Sequence, residues 1–186
     1  MIQGDRLFKV RAKTCVLATG SSEQHVVFRN NDLPGVVLCS ALERLINHYA
    51  VAPQGNLVVL AGNDQAWLTA LTAAEAGLSV AAVVDLREAP DNAALLAEAS
   101  ARGITVYTGA TVYDAQRDSE SQSLCGVDIH RIDTQGEVGE LIAQHGCAVL
   151  AMSAGFMPAY QLACQAGAKL DYDDDRAASN LSLIHI

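Results

Sequence analysis

The sequence contains few cysteines and no recognisable metal-ligand motif. Its five cysteines are odd in number and scattered, with no CxxC pair, which argues against a disulfide framework, a zinc ribbon and a dithiol redox centre. Its five histidines show neither HxH nor HExxH spacing, so we predict no metal site. Buried free thiols are the simplest interpretation of the cysteines.

Basic residues and long apolar runs are also scarce. The 12 Lys and Arg against 21 Asp and Glu give a formal net charge of -9, which disfavours a nucleic-acid partner because such binding depends on clustered cations. No apolar run reaches the roughly 18 to 20 residues that span a bilayer. The first residues, MIQGDRLFKV, lack an apolar signal core. We therefore expect a cytoplasmic protein that does not bind membranes.

The middle of the chain alternates strand and helix patterns. Among its 186 residues 51% are hydrophobic and 18% charged, enough to fill a real core. Residues 56–108 give a strand (NLVVLAG), a helix (DQAWLTALTAAEAG), a strand (LSVAAVVD), a helix (NAALLAEASARG) and a strand (ITVYTG). Strands that are apolar throughout and joined by helices are typical of a parallel sheet covered on both faces. This segment predicts a Rossmann-like half.

The flanking segments predict a second layer. Residues 6–18 suggest two short strands, residues 111–133 a hairpin or meander, and CAVLAM at 147–152 another apolar strand. A turn-rich connection over 21–37 leads to an amphipathic helix in ALERLINHYA, and a further helix is expected in AYQLACQAG. An apolar strand ending in a small-residue turn occurs twice, as VLATG and VLAMSAG. The chain should therefore leave one layer, form a nucleotide-type domain and return.

The turn in LVVLAGNDQA, residues 57–66, has the place of a dinucleotide-binding turn but few glycines. The three GxGxxG positions hold Ala61, Asn63 and Ala66, with Gly62 between the first two. Asn63 tolerates the left-handed backbone region better than most residues, so the turn can form. Asp64 suits the dipole at the helix start but repels an anion. The turn alone fits either a working nucleotide site or a domain that keeps only the fold.

Asp85 favours the working site. It ends the second strand nineteen residues after Ala66, where a carboxylate accepts from the adenosine ribose 2′-hydroxyl of NAD and rejects the 2′-phosphate of NADP. Arg87 lies two residues on and could soften that discrimination.

Other candidate residues have simpler structural explanations. Trp67 is expected to pack in the core. The run DYDDD at 171–175 lacks the glycine and glutamate of an EF-hand loop and is expected to be a solvated acidic run. Ser153 is not in a GxSxG elbow, so we propose no nucleophile.

Five ordered segments carry a resemblance to a known family. They are RAKTCVLATGSSE, NDLPGVVLCSALERLINHYAVAP, VVLAGNDQA, AAVVDLR and LAMSAGFMPAYQLACQAGAKLDYDDDRAA. From about residue 6 to about residue 178 the chain resembles the FAD/NAD-binding region of the alpha subunit of heterotetrameric sarcosine oxidase. Flavoprotein subunits of opine oxidases and hydrogen cyanide synthase share much of the pattern. One departure is Gln24-His25, where the family tends to have Arg-Pro.

The resemblance implies two cofactors, FAD and NAD, and a set of binding residues. It places Ala18, Thr19 and Gly20 at the turn that approaches FAD. It implies that the chain returns to this flavin-binding layer at Ser153, Ala154, Gly155, Phe156 and Pro158. It implies an NAD site, in which loss of the glycines is usual, at Gly62, Asn63, Asp64, Gln65, Ala66 and Asp85.

The resemblance also implies an activity and partners. Full-length relatives would oxidise a secondary amine such as sarcosine, with the chemistry in a beta subunit, so no catalytic residue is expected in this chain. An opine or glycine substrate remains an alternative. Another is a non-catalytic assembly scaffold with a vestigial nucleotide site.

The predicted fold is α/β, with a Rossmann-like parallel-sheet NAD-binding domain inserted in part of a two-dinucleotide-binding flavoprotein fold. We predict a partial FAD-binding layer at 1–51, an NAD-binding domain with β-meander at 52–146, a return to the FAD-binding layer at 147–180, and a foreign tail, LSLIHI, at 181–186. Segments that the family has before Arg6 and after this region are missing, so the resemblance implies a fragment.

Overall fold

The computed structural model describes residues 2–3, 5–173 and 178–182. Helices within this part of the chain are α1 (Cys39–Asn47), α2 (Asp64–Glu75), α3 (Ala93–Ala101) and α4 (Gln161–Gln165). Strands in the same residues are β1 (Ile2–Gln3), β2 (Arg6–Leu7), β3 (Ser21–Gln24), β4 (Val36–Leu38), β5 (Asn56–Ala61), β6 (Ser79–Asp85), β7 (Thr105–Thr108), β8 (Ala110–Arg117), β9 (Leu124–Ile132), β10 (Val138–Gly146), β11 (Val149–Ser153), β12 (Gly155–Pro158), β13 (Lys169–Asp173) and β14 (Ala178–Ser182). The chain forms two compact units, one of Met1–Ser22 with Met157–Ile186 and one of Glu23–Phe156.

The larger unit has three layers. A five-stranded sheet, with the order β4-β11-β5-β6-β7, pairs its strands in parallel and confirms the predicted parallel sheet. A three-stranded antiparallel sheet, with the order β10-β9-β8, contains the antiparallel pair β8 and β9 predicted at 111–133 and adds β10 at its edge. Strands β5 and β11 are apolar along their length because both of their faces are covered.

Two apolar cores cover the two faces of the parallel sheet. The core on the helix side is centred on Trp67, which is fully buried as predicted, and includes Leu42, Val59 and Ala151. The core on the other side joins the parallel sheet to the antiparallel one through residues such as Leu60 and Ile129. None of the helices in the described residues is both long and apolar enough to cross a membrane.

Helices α2 and α3 each begin at an asparagine cap and are each followed by a glycine. The side chains of Asn63 and Asn92 cap α2 and α3 by accepting from backbone N–H groups in the first turn. Gly77 and Gly103 follow these helices with φ of 85° and 73°, a left-handed conformation that glycine adopts without strain. These two glycines are the last residues of the predicted helical segments DQAWLTALTAAEAG and NAALLAEASARG.

Two strands of the larger unit escaped prediction. Strand β4 lies inside the predicted turn-rich connection, and three residues are too few to show a period. Strand β10 is an edge strand with mostly exposed side chains, so its sequence lacks the apolar alternation that marks a half-buried strand.

The smaller unit differs from the prediction for residues 6–18. Only Arg6–Leu7 form a strand there, and residues 16–20 form none. Residues 5–20 are exposed, so their alternating side chains have no buried face to stabilise a strand. Short antiparallel pairs join β1 to β2 and β13 to β14. The SAGFMP segment, expected to contain a small-residue turn, contains β12.

The observed sheet does not divide at the predicted domain boundaries. Strands β4 and β11 and helix α1, placed in the FAD-binding layer by the predicted divisions at 51/52 and 146/147, pack with β5 in the larger unit. Those divisions stay a prediction for the longer fold. Residues 183–186 of the predicted foreign tail and 174–175 of the acidic run lie outside the described residues.

Candidate functional site

The candidate site lies at the carboxyl edge of the parallel sheet, between β5 and β11. The chain continues from β5 to β6 and β7 on one side, whereas β11 and β4 lie on the other. In open α/β sheets such a switch point opens a crevice beyond the strand ends, where ligands bind. The predicted NAD turn meets the predicted flavin-layer return here, because the Gly62 N–H donates to the Ser153 carbonyl oxygen over 2.8 Å.

Asn63 ties the turn to β11 with its side chain. Its Oδ1 accepts from the Ala66 N–H at 3.1 Å and caps α2, while its Nδ2 donates to the buried Ser153 Oγ at 2.8 Å. Its backbone is extended, with φ of -155°, so the expected reliance on left-handed tolerance was wrong. Asparagine suits this turn because its side chain both caps the helix and bonds across the switch point.

Gly62 packs closely against Ala154 at the same place. A Cβ there would lie 3.0 Å from the Ala154 Cα and carbonyl oxygen. The one remaining glycine of the turn therefore lets the strand ends approach each other, which is a packing role.

Asp85 occupies the predicted position, but its carboxylate is already engaged. The side chain is fully buried, and Oδ2 accepts from the Trp67 indole Nε1 at 2.6 Å. Arg87 donates to both carboxylate oxygens, through its backbone N–H at 2.8 Å and its guanidinium at 2.9 and 3.1 Å. The predicted ribose contact of Asp85 stays a prediction, and in this structure the carboxylate anchors Trp67 and Arg87.

Asp64, the first residue of α2, binds the loop that follows β6. Its Oδ1 accepts from Arg87 Nη2 at 2.9 Å and from the Asp91 N–H at 3.0 Å, and Oδ2 accepts from the Asn92 N–H at 2.9 Å. Burial alone would raise the pKa of Asp64, but the hydrogen bonds from Arg87, Asn92 and Asp91 outweigh it and lower that pKa. Beside it, Gln65 donates to Glu43 Oε1 at 2.9 Å.

The lowered pKa of Asp64 predicts a pH dependence of stability. A carboxyl whose pKa is lower in the folded state stabilises the protein above its unfolded value near 3.8, and this contribution is lost as the pH falls through the folded value. We expect Asp64→Asn to lower the free energy of unfolding at pH 6 and to have a smaller effect at pH 3. Urea denaturation at both pH values measures this. An equal effect at both pH values would contradict the assignment.

Sequence reasoning missed Glu23 as a site residue. Its Oε2 accepts from the Ser40 N–H at 2.9 Å at the start of α1. Its Oε1 is buried and has no hydrogen-bond partner among the described residues. Burial and then the charge of Glu23 raise the pKa of the neighbouring Cys39 thiol. A lone glutamate sixteen residues before a helix carries no sequence signal, whereas a buried unpaired oxygen calls for a specific explanation.

The residues predicted to approach FAD lie partly in the smaller unit. There Thr19 Oγ1 donates to the Ala159 carbonyl oxygen at 3.0 Å, and the Gly20 carbonyl oxygen accepts from the Ala159 N–H at 3.0 Å. Gly20 has φ of 69°, and a Cβ there would meet no atom within 4 Å, so its backbone conformation is what requires glycine. Ala18 is exposed, and Pro158 ends β12. In the larger unit, Gly155 has φ of 143° and Phe156 is exposed.

Curated relatives share sequence with nearly the whole chain. No protein-family model matches it. The sarcosine oxidase subunit alpha of Corynebacterium sp. (strain P-1) is 38% identical over 173 residues, covering 92% of this chain and 17% of the relative. The sarcosine oxidase subunit alpha of Rhizobium meliloti is 32% identical over 174 residues, covering 94% of this chain and 16% of the relative. The hydrogen cyanide synthase subunit HcnB of Pseudomonas aeruginosa is 28% identical over 191 residues, covering 93% of this chain and 40% of the relative. The chain thus spans about a sixth of the sarcosine oxidase subunits that it matches.

Solved structures share the fold at lower identity. Thioredoxin reductase of T. acidophilum superposes with a TM-score of 0.60 at 19% identity, over 82% of this chain and 47% of the reductase. An FAD-dependent pyridine nucleotide-disulphide oxidoreductase of Desulfovibrio vulgaris superposes with a TM-score of 0.61 at 21% identity, over 87% of this chain and 40% of the oxidoreductase. The chain therefore has the α/β fold of FAD- and pyridine nucleotide-dependent oxidoreductases, and by sequence it is a relative of one segment of the sarcosine oxidase alpha subunits.

Proposed function

We propose that this chain is the dinucleotide-binding part of a flavoprotein oxidoreductase that oxidises a secondary amine, with NAD at the switch point between β5 and β11. The observation that carries the proposal is the junction of the Asn63 turn with Ser153 at that edge. The sequence relationship to sarcosine oxidase alpha subunits supports the amine substrate, and the name "subunit" supports a partner chain that holds the amine chemistry. An opine or glycine, which the sequence resemblance leaves open, is the alternative substrate, and the relationship to a hydrogen cyanide synthase subunit supports keeping an alternative.

The residues at the switch point fit a nucleotide in two respects. Gly62 and Ala154 keep the strand ends small and close together. Glu23 Oε1 is a buried acceptor without a partner in the described residues, and it adjoins the start of α1, which follows β4 at the same edge. The hydroxyl and carboxamide groups of NAD are donors that can satisfy such an oxygen. Glu23 would thus orient the nucleotide by accepting a hydrogen bond.

The flavin assignment rests on the resemblance and on the turn at Ala18, Thr19 and Gly20. Small side chains and a left-handed glycine let a backbone turn approach a ligand closely. FAD, when bound, would supply a two-electron acceptor, while the oxidation of the amine itself belongs to the partner chain. This chain's own contribution would be to hold and orient the cofactors, and we assign it no proton transfer.

A non-catalytic assembly scaffold with a vestigial nucleotide site is the second candidate. It is favoured by the internal hydrogen bonds that Asn63, Asp64 and Asp85 already make. Nucleotide binding would have to compete with some of these bonds. Direct binding measurements separate the two candidates.

We expect the 186-residue chain to bind NAD saturably in calorimetric titration, and NADP more weakly. Glu23→Gln should weaken NAD binding about tenfold or more, because a hydrogen bond to a charged group contributes about 1.5 to 3 kcal/mol. Glutamine can still accept from the Ser40 N–H, so the change is local. Glu75→Gln is the matched control, since Glu75 pairs with the exposed Arg102 at the far end of α2.

The titration discriminates clearly between the candidates. Absence of NAD binding by a chain that unfolds cooperatively in urea would favour the scaffold. Binding that Glu23→Gln and Glu75→Gln weaken equally would remove Glu23 from the site.

A further inference from the structure

Arg87 is bound by three carboxylates at once. Its Nη2 lies 2.9 Å from both Asp64 Oδ1 and Asp85 Oδ2, its Nη1 lies 3.0 Å from Asp91 Oδ2, and its Nε donates to Asp85 Oδ1 at 3.1 Å. Every nitrogen of the guanidinium therefore has a carboxylate partner. The cluster holds two negative charges in excess of its one cation.

The loop that carries Arg87 is fixed against the candidate site. The Leu86 N–H donates to the Ala61 carbonyl oxygen at 2.8 Å, and the Gly109 N–H donates to the Arg87 carbonyl oxygen at 2.8 Å. Asp64 accepts from the backbone of the same loop at Asp91 and Asn92. Arg87 is therefore held next to the first turn of α2, just beyond the carboxyl end of β6.

The three carboxylates differ in what they hold. Asp85 is fully buried and also anchors the Trp67 indole, so its bond to Arg87 is part of the core. Asp64 is 27% exposed and Asp91 is 89% exposed at their side chains, so neither is buried as Asp85 is. These two groups occupy the donors that a free arginine would offer to a phosphate.

We infer that Asp64, assisted by Asp91, sets the nucleotide selectivity of this site by keeping Arg87 from binding a ribose 2′-phosphate. This inference rests on the proposed function. The sequence assigned the discrimination to Asp85, but its oxygens are turned to Trp67 and Arg87. Asp64 acts through Arg87 and by the excess negative charge, so a nucleotide with an unphosphorylated ribose is accepted and a 2′-phosphate is repelled. Removing the Asp64 charge frees one N–H of Arg87 Nη2 for that phosphate, while Nη2 still donates to Asp85.

The test compares NAD and NADP binding to the 186-residue chain and to Asp64→Asn, with adenosine 2′,5′-bisphosphate as a probe that carries the 2′-phosphate without the nicotinamide. We expect Asp64→Asn to shift the NADP-to-NAD affinity ratio at least about tenfold toward NADP, since a charge-assisted bond contributes about 1.5 to 3 kcal/mol. Adding Asp91→Asn should shift it further. Asparagine Oδ1 can still accept one bond from the loop backbone. Cooperative urea unfolding of each variant shows that the fold is kept.

Two controls separate a specific effect from a general one. Glu75→Gln removes the same charge elsewhere on α2 and should leave the ratio unchanged. Adding Arg87→Lys to Asp64→Asn keeps the cation beside Asp85 but removes the planar fork, and should reverse most of the gain. NAD binding with an unchanged ratio in Asp64→Asn, or a gain that Glu75→Gln reproduces, would overturn the inference alone. Failure of all folded variants to bind any of the three nucleotides would overturn the proposed function, and the inference with it.

Discussion

Asp85→Ala is expected to lower the free energy of unfolding by about 3 to 5 kcal/mol, the usual effect of removing one partner of a buried charged pair. The substitution leaves the buried Trp67 N–H without an acceptor and deprives Arg87 of both of its buried acceptor oxygens. Each unsatisfied buried donor costs about 1 to 3 kcal/mol, which is consistent with that total.

Urea denaturation followed by the fluorescence of Trp67, the single tryptophan, measures this effect. Asp133→Ala is the matched control, because Asp133 is exposed and its side chain accepts from turn N–H groups of Gln135 and Glu137. A loss below about 1 kcal/mol for Asp85→Ala would contradict the network described here. Weakened nucleotide binding in Asp85→Ala therefore has to be corrected for unfolding before it is attributed to ligand contact.

Gly35→Ala is expected to destabilise the larger unit by about 2 to 5 kcal/mol, combining backbone strain with overpacking. Gly35 has φ of 107°, and a Cβ there would lie 2.6 Å from the Ala148 carbonyl oxygen, which is backbone and cannot swing away. The Gly35 carbonyl oxygen also accepts from the Leu150 N–H at 2.9 Å, so a shift of the turn disturbs the pairing of β4 with β11.

Gly77→Ala provides the control for Gly35→Ala. Gly77 has φ of 85° but no atom within 4 Å of a Cβ position, so it isolates the backbone strain, about 1 kcal/mol. The difference between the two variants in urea denaturation gives the cost of the contact with Ala148. Equal losses would show that the turn relaxes around the added methyl group.

The elements predicted correctly are those whose sequence pattern is set by burial or by an end signal. Strands β5, β6 and β11 are apolar runs because both faces of the parallel sheet are covered. Helix α2 begins at an asparagine cap and is followed by Gly77. Edge strand β10 and the exposed residues 8–18 carry no such constraint, so their patterns were misread.

The residues of the candidate site were named from the sequence, but their hydrogen bonds were not. Asn63 and Ser153 are 90 residues apart, and their hydrogen bond exists because β5 and β11 are neighbours in the sheet. The position of Asp85 at the end of β6 was predicted correctly. The direction in which its carboxylate points depends on the indole of Trp67 on α2, and sequence spacing carries no information about that contact. Glu23 shows the same limit, since burial of its Oε1 arises only in the folded chain.

We propose that NAD binds where the Asn63 turn meets the end of β11, and an amide-resolved NMR titration of the 186-residue chain with NAD is the measurement to make. We expect saturable shifts at the Gly62 and Ala154 amides and at the Asn63 side-chain amide, which bonds to Ser153. A folded chain whose shifts at saturating NAD lie elsewhere, or that shows none, would contradict it.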